Sequence, residues 1–190
     1  IHASKLENEL LAQPYVAEVS IYKTIDHKLV VDVEPREATV RLLDRNGRAA
    51  LLDARGCLIP VSKTTHLRLP VITGNFDLDP EAVAHCTTIS ELIESPEDAL
   101  ERIRMFSAVA FADPFWKAQL QHTHLKANGD FVSVARVGGH LINFGKGRDI
   151  EQKLEALDIL YREGLDESTW NRYAAINLKY ENQIICTEKH

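Results

Sequence analysis

The sequence predicts an α+β protein with a mostly antiparallel sheet. Three observations predict it. Short runs alternate apolar and polar residues with period two, glycine-containing turn dipeptides separate them, and few stretches carry apolar residues at helical spacing. The helical stretches fall among groups of strands, so the order is not the regular βαβ repeat of a nucleotide-binding sheet.

Taken in order, residues 1–13 open as a helix, with Ala3, Leu6 and Leu10 on one face and Ser4 as a candidate cap. Pro14 stops it, because proline lacks an N–H and pushes the preceding residue out of the α region. Ala17, Val19 and Ile21 alternate with polar neighbours, and Leu29, Val31 and Val33 do the same after a turn at 24–27. One helix over this hairpin is the economical packing, and a two-stranded hairpin is marginal by itself. Short strands are expected at 39–43, 48–53 and 57–61, separated by Asn46-Gly47 and Arg55-Gly56, where glycine accepts a positive φ without steric cost. Residues 69–74 form a further extended segment. Ser95-Pro96-Glu97-Asp98 reads as a helix start with Ser95 as cap and Pro96 in the first turn. Its buried stripe runs through Leu100, Ile103 and Phe106 or Ser107 to about Ala112, and Asp113-Pro114 ends it. Strands at 131–135 and 140–144 follow, joined by Val137-Gly138-Gly139. A helix opened by Asp149 then carries Ile150, Leu154, Leu157 and Tyr161 on one stripe, with Gly164 just past its end. Strands at 174–180 and 183–187 around Glu181-Asn182 complete the chain.

Composition narrows the function. Apolar residues at 45% and charged residues at 26% describe a folded chain, and 190 residues make one domain or two small ones. The 22 Lys+Arg against 28 Asp+Glu leave a net charge of −6 with no dense basic cluster, which argues against nucleic acid as a partner. No apolar run approaches the ~20 residues that span a bilayer. The chain begins at Ile1 without a signal peptide, so it is expected to be a fragment whose targeting signal or anchor lies upstream. Cys57, Cys86 and Cys186 are odd in number and far apart. They read as small apolar fillers, and whether any two are bridged stays open.

The candidate chemistry is thin. Phe144-Gly145-Lys146-Gly147-Arg148-Asp149 is a basic glycine loop opening a helix, but it lacks the spacing and the hydroxyl of a phosphate loop. Asp149 and Gln152 have the form of a capping box instead. His122 and His124 share a strand face and His140 follows two glycines, yet no zinc motif accompanies them, so they read as surface histidines near a turn. No nucleophile elbow is present. The acid pairs Asp77/Asp79 and Glu97/Asp98 read as solvated or capping, and Trp116 and Trp170 as satellite core. No catalytic residue, metal site or cofactor is expected.

Six segments in register resemble the extracytoplasmic region of the FtsQ/DivIB family of bacterial cell-division proteins. Residues 10–21, LLAQPYVAEVSI, are similar to the family's L-x-x-x-P-W-V-x-x-V-x-V, and residues 29–38, LVVDVEPREA, to L-x-I-x-V-x-E-R-x-P-V-A. Residues 51–60, LLDARGCLIP, resemble L-V-D-x-x-G-x-V-F, and 69–74, LPVITG, resemble L-P-x-L-x-G. Near the end, 143–154 resemble L-G-x-x-x-x-x-x-R-L and 176–182, INLKYEN, resemble V-D-L-R-Y-x-N-G. The chain departs from the pattern at Tyr15 for Trp, at Ala38-Thr39 for Pro-Val and at Gln183 for Gly.

The resemblance implies the later part of a POTRA-type module at residues 1–38 and a larger β domain at 39–190. It implies a divisome scaffold, not an enzyme, held in the inner membrane by a single upstream helix with this region in the periplasm. The implied partners are FtsB and FtsL, linked through this protein to septal wall synthesis. By position, the partner-binding strand falls on Tyr180, Gln183, Ile184, Ile185, Cys186 and Thr187. A terminal strand with open N–H and C=O groups suits strand addition. The competing reading is a POTRA-bearing chaperone-like module of outer-membrane assembly or secretion, which accounts for residues 1–38 alone. A phosphate-binding hydrolase using Lys146 and Arg148 lacks a nucleophile.

Overall fold

The structure, a computed structural model, describes residues 3–62, 67–164, 171–180 and 183–189. The Glu181-Asn182 turn and Trp170 lie outside the described residues.

Helix α1 (Ala3–Leu11) is followed by the antiparallel hairpin β1 (Val16–Lys23) and β2 (Leu29–Pro35). Ser4 falls inside α1 rather than capping it. The hairpin is covered unevenly. Val19 is buried and faces Val33, which is 46% exposed, while Val31 opposite Ile21 is 39% exposed. Helix α1 packs on β1, so the apolar face expected of β2 stays open. Arg36 to Asp53 (3.0 Å) and Arg55 to Glu18 tie this piece to the rest of the chain.

Among the described residues, nine further strands form one mixed sheet: β3 (Ala38–Leu43), β4 (Ala49–Asp53), β5 (Leu58–Pro60), β6 (Val71–Gly74), β7 (His122–Leu125), β8 (Phe131–Val134), β9 (Leu141–Gly145), β10 (Tyr173–Asn177) and β11 (Ile185–Glu188). Their spatial order is β11-β10-β9-β8-β7-β6-β3-β4-β5. Neighbours β3/β6, β6/β7 and β9/β10 run parallel and the rest antiparallel. Parallel neighbours need a crossover of a dozen residues or more. Two of these crossovers carry helices, α2 (Pro80–Ala84), α3 (Ile89–Leu92), α4 (Ala99–Ala110) and α5 (Pro114–Gln119) between β6 and β7, and α6 (Ile150–Ile159) between β9 and β10.

The register explains the core. Pro60, Ala50, Leu42, Ile72, Thr123, Ser133, Ile142, Ile176 and Cys186 form one row of cross-strand partners reaching from β5 to β11. Its two mid-sheet hydroxyls, on Thr123 and Ser133, are fully buried and bond each other at 2.8 Å, which removes the cost of burying them. Onto this side α4 (Ala99–Ala110) lays Leu100, Ile103, Phe106 and Ala110, and α6 lays Ile150, Leu154 and Leu157. Phe106 stacks on Phe131 with centroids 4.6 Å apart and meets Phe111 and Phe144 edge-on.

Several expectations are corrected here. Helix α4 starts at Ala99 with Asp98 as cap, its carboxylate accepting from the Leu100 N–H at 2.8 Å; Ser95 closes the preceding turn. Asp113-Pro114 ends one helix and starts another, α5 (Pro114–Gln119), capped by Asp113, just as Asp79-Pro80 starts α2. Trp116 belongs to the main core, against Tyr161. Gly164 lies within a π-helical turn, Leu160–Gly164. Cys57 and Cys86 are joined by a disulfide with a Cα–Cα distance of 5.6 Å, while Cys186 is a free thiol. Their sequence separation of 29 hid a pairing that the antiparallel bridge between Cys57 and Thr88 brings about.

Candidate functional site

Strand β11 is the outermost strand of the nine-stranded sheet and, among the described residues, pairs only with β10. Ile176 faces Cys186 and Asn177 faces Ile185. Because side chains alternate, Cys186 points to the helix-covered side, where it and Ile184 pack against the core. Burial pushes the Cys186 thiol's pKa up, so it stays a protonated, apolar filler. Ile185 points to the opposite face and is 45% exposed. The run that reads as apolar on both faces is thus split between one anchored side and one open side. Arg172 and Glu188 brace the far end of the pair at 2.7 Å, and Glu188 holds the Arg172 guanidinium above its ordinary pKa.

Beside this strand lies a groove of about 760 Å³, walled by Tyr180, Gln183 and Ile184 on one side and the start of α6 on the other. The structure brings Tyr180, Gln183 and Ile184 together at the groove, whereas Ile185, Cys186 and Thr187 lie along the strand. Lys146, Arg148, Lys153 and Lys179 make the groove basic. Lys146 and Lys179 approach the buried carboxylate of Asp130 at 3.7 and 3.3 Å, and Arg148 pairs with Glu97 at 2.7 Å. Lys153 donates to the carbonyls of Phe144 and Arg148. Spacing alone linked Lys146 and Arg148 to a phosphate; no local signal linked them to Tyr180. Only the parallel pairing of β9 with β10 places the two segments side by side.

The glycine loop itself is structural. Gly147 has a φ of 74°, and a Cβ there would lie 2.7 Å from the Phe131 ring, so the loop can close over that ring only as glycine. Asp149 stands at the cap position just before α6 but makes no side-chain capping bond, which corrects the capping-box expectation. Its φ of 52° and ψ of 40° are left-handed. A capping side chain needs extended backbone to lie over the N–H groups of the first turn.

The histidines do not converge. His122 and His124 are exposed on β7 and flank the Thr73 hydroxyl at 3.1 and 2.9 Å. His140 is fully buried instead of lying on the surface, and its Nε2 meets the Tyr161 hydroxyl at 2.7 Å. Burial, with Lys189 nearby, holds the His140 imidazole below its ordinary pKa, and burial pushes the Tyr161 phenol up to about 12. Among the described residues, no three His, Cys, Asp or Glu side chains gather as metal ligands. Nor is any described helix long and apolar enough to cross a membrane.

These features define a mixed-sheet α+β fold whose outermost strand, paired on one side among the described residues, lies beside a basic groove. The family described as FtsQ/DivIB, C-terminal related, matches residues 37–187, and the chain belongs to it. None of the curated proteins matches the chain.

Proposed function

We propose that this chain is the periplasmic region of a bacterial cell-division scaffold that binds FtsB and FtsL by strand addition to β11. Membership of the FtsQ/DivIB-related family carries the cell-division role, and that family consists of non-catalytic division proteins. The observation that carries the binding mode is the position of β11: last in the sheet, short, and half open on the Ile185 side. A partner strand laid along it would extend the sheet by main-chain bonds, with Ile185 and Tyr180 as side-chain contacts. The basic groove next to it suits acidic residues flanking that strand.

In this reading residues 1–38 are the later part of a POTRA-type module and 39–190 the β domain. The half-open β2 face supports that division, since it has room for further elements of such a module. The Cys57–Cys86 disulfide supports an oxidising compartment such as the periplasm. A single inner-membrane helix outside the chain would tether it, and the scaffold would link FtsB and FtsL to septal wall synthesis.

Affinity for the periplasmic segment of FtsB tests the proposal. Ile185→Pro removes a donor and bends the edge, so binding should be abolished. Ile184→Glu sets a carboxylate in an apolar contact and should weaken binding by a few kcal/mol. Tyr180→Ala, which leaves the backbone intact, should weaken it less. Normal binding by folded Ile185→Pro would refute the site.

A further inference from the structure

Helix α6 has a second groove on its other flank. It holds about 830 Å³ between α4, α5 and α6. Its floor is apolar: Ala108, Val109, Phe115, Trp116, Leu154 and Tyr161. Two floor residues are exposed, Val109 at 39% and Phe115 at 49%. Exposed apolar ground of this kind marks a contact surface more often than bare solvent. The rim is mostly acidic. Glu151, Glu155 and Asp158 follow one another at i, i+4 and i+7 along α6, with Asp113 opposite. Among the described residues lining the groove the base is Arg162, which is paired with Asp158 at 3.0 Å. The Asp113 carboxylate is taken by the Phe115 and Trp116 N–H groups, which leaves Glu151 and Glu155 as the exposed acids beside the floor.

We propose that this groove docks a partner's amphipathic helix whose apolar stripe lies on Val109 and Phe115 and whose flanking residues are Lys or Arg. A helix-in-groove contact needs an apolar floor between two walls, and charge on the rim selects which helix enters. The acidic rim turns away an anionic lipid surface. A second copy is a poor occupant, because the exposed helix α1 pairs its Lys5 with Glu9 at 3.9 Å and, among its described residues, offers no basic stripe. The surface lies on the flank of α6 opposite β11's groove, so it does not depend on strand addition.

The test uses the whole chain and two synthetic peptides with leucines at helical spacing, one carrying lysine at every other position and the other glutamate. The lysine peptide should bind roughly tenfold tighter, the worth of two or three exposed charge pairs, and the preference should shrink with salt. Backbone amide shifts should map to α4, α5 and α6. The paired change Glu155→Lys with Asp158→Lys should reverse the preference, and Phe115→Ser should weaken both peptides several-fold, with circular dichroism melting unchanged in each. Equal affinity for the two peptides, or shifts that map elsewhere, would overturn the proposal. So would self-association of the free chain that the paired change abolishes, since the occupant would then be a second copy.

Discussion

Asp44 and Asp53 hold equivalent places in two glycine turns, and each turns its carboxylate inward to the backbone. Asp44 accepts from the N–H groups of Asn46 and Arg48 at 2.8 Å and of Leu78 at 3.0 Å; Asp53 accepts from Arg55 and Cys57. Burial alone would raise the Asp44 carboxyl, but these N–H groups and the Arg48 charge outweigh it and hold its pKa below the ordinary value. Asp44→Ala strands buried donors, each worth about 1–3 kcal/mol, so chemical denaturation at neutral pH should show a loss of at least about 2 kcal/mol. The sign with pH follows from the lowered pKa. The stabilisation is complete above the ordinary carboxylate value of about 4 and disappears as pH falls through the lower folded value, so wild type and Asp44→Asn should converge in acid. Asp149 behaves differently. It caps nothing and sits in left-handed backbone, so Asp149→Gly should leave stability unchanged or raise it by up to about 1 kcal/mol; a loss of that size in thermal melts would restore its capping role. The glycine turns were legible in the sequence because their φ requirement is local. The Asp149 geometry was not, because a D-x-x-Q spacing states which residues could cap and not which backbone region they occupy.

At the scale of elements, the long buried stripes were readable and the short helices were not. Leu100, Ile103 and Phe106, like Ile150, Leu154, Leu157 and Tyr161, repeat over enough turns to declare a face, and all of them are buried. Helices α2, α3 (Ile89–Leu92) and α5 have two turns or fewer, too short for a period to show. For α2 and α5 the signal was the Asp-Pro pair at 79–80 and 113–114, a cap followed by a proline in the first turn, which serves as readily to stop one helix as to start the next. The disulfide fastens this stretch, joining the start of β5 to the end of α2 across a separation of 29. A loop of that length gives about 3–4 kcal/mol by chain entropy. Thiol titration under denaturing conditions without reductant should count one free thiol, Cys186, and reduction should lower the melting temperature. Three thiols without reductant would dismiss the bond.

For the molecule as a whole, the α+β class and most strands could be read from the sequence, while the strand order could not. Period-two alternation says which residues share a face but not which strands are neighbours, so nothing local reveals that β3 pairs with β6 or β9 with β10. That order decides where the proposed site lies. It puts β11 at the rim of the sheet and sets α6 between two grooves of opposite charge, a basic one holding Lys146, Arg148 and Lys179 and an acidic one holding Glu151, Glu155 and Asp158. The candidate strand was legible only through resemblance to a family, because Ile184-Ile185-Cys186 carries no motif of its own. Its openness is a property of the assembled sheet. The central claim is that a division partner adds a strand to β11, and hydrogen exchange of the β11 amides with and without the FtsB periplasmic segment tests it most directly. Strand addition bonds the outward amides between Ile184 and Glu188, so the account predicts their exchange slows at least about tenfold on binding while the amides of β5 at the opposite rim are unchanged. Tight binding with no added protection in β11 would contradict it.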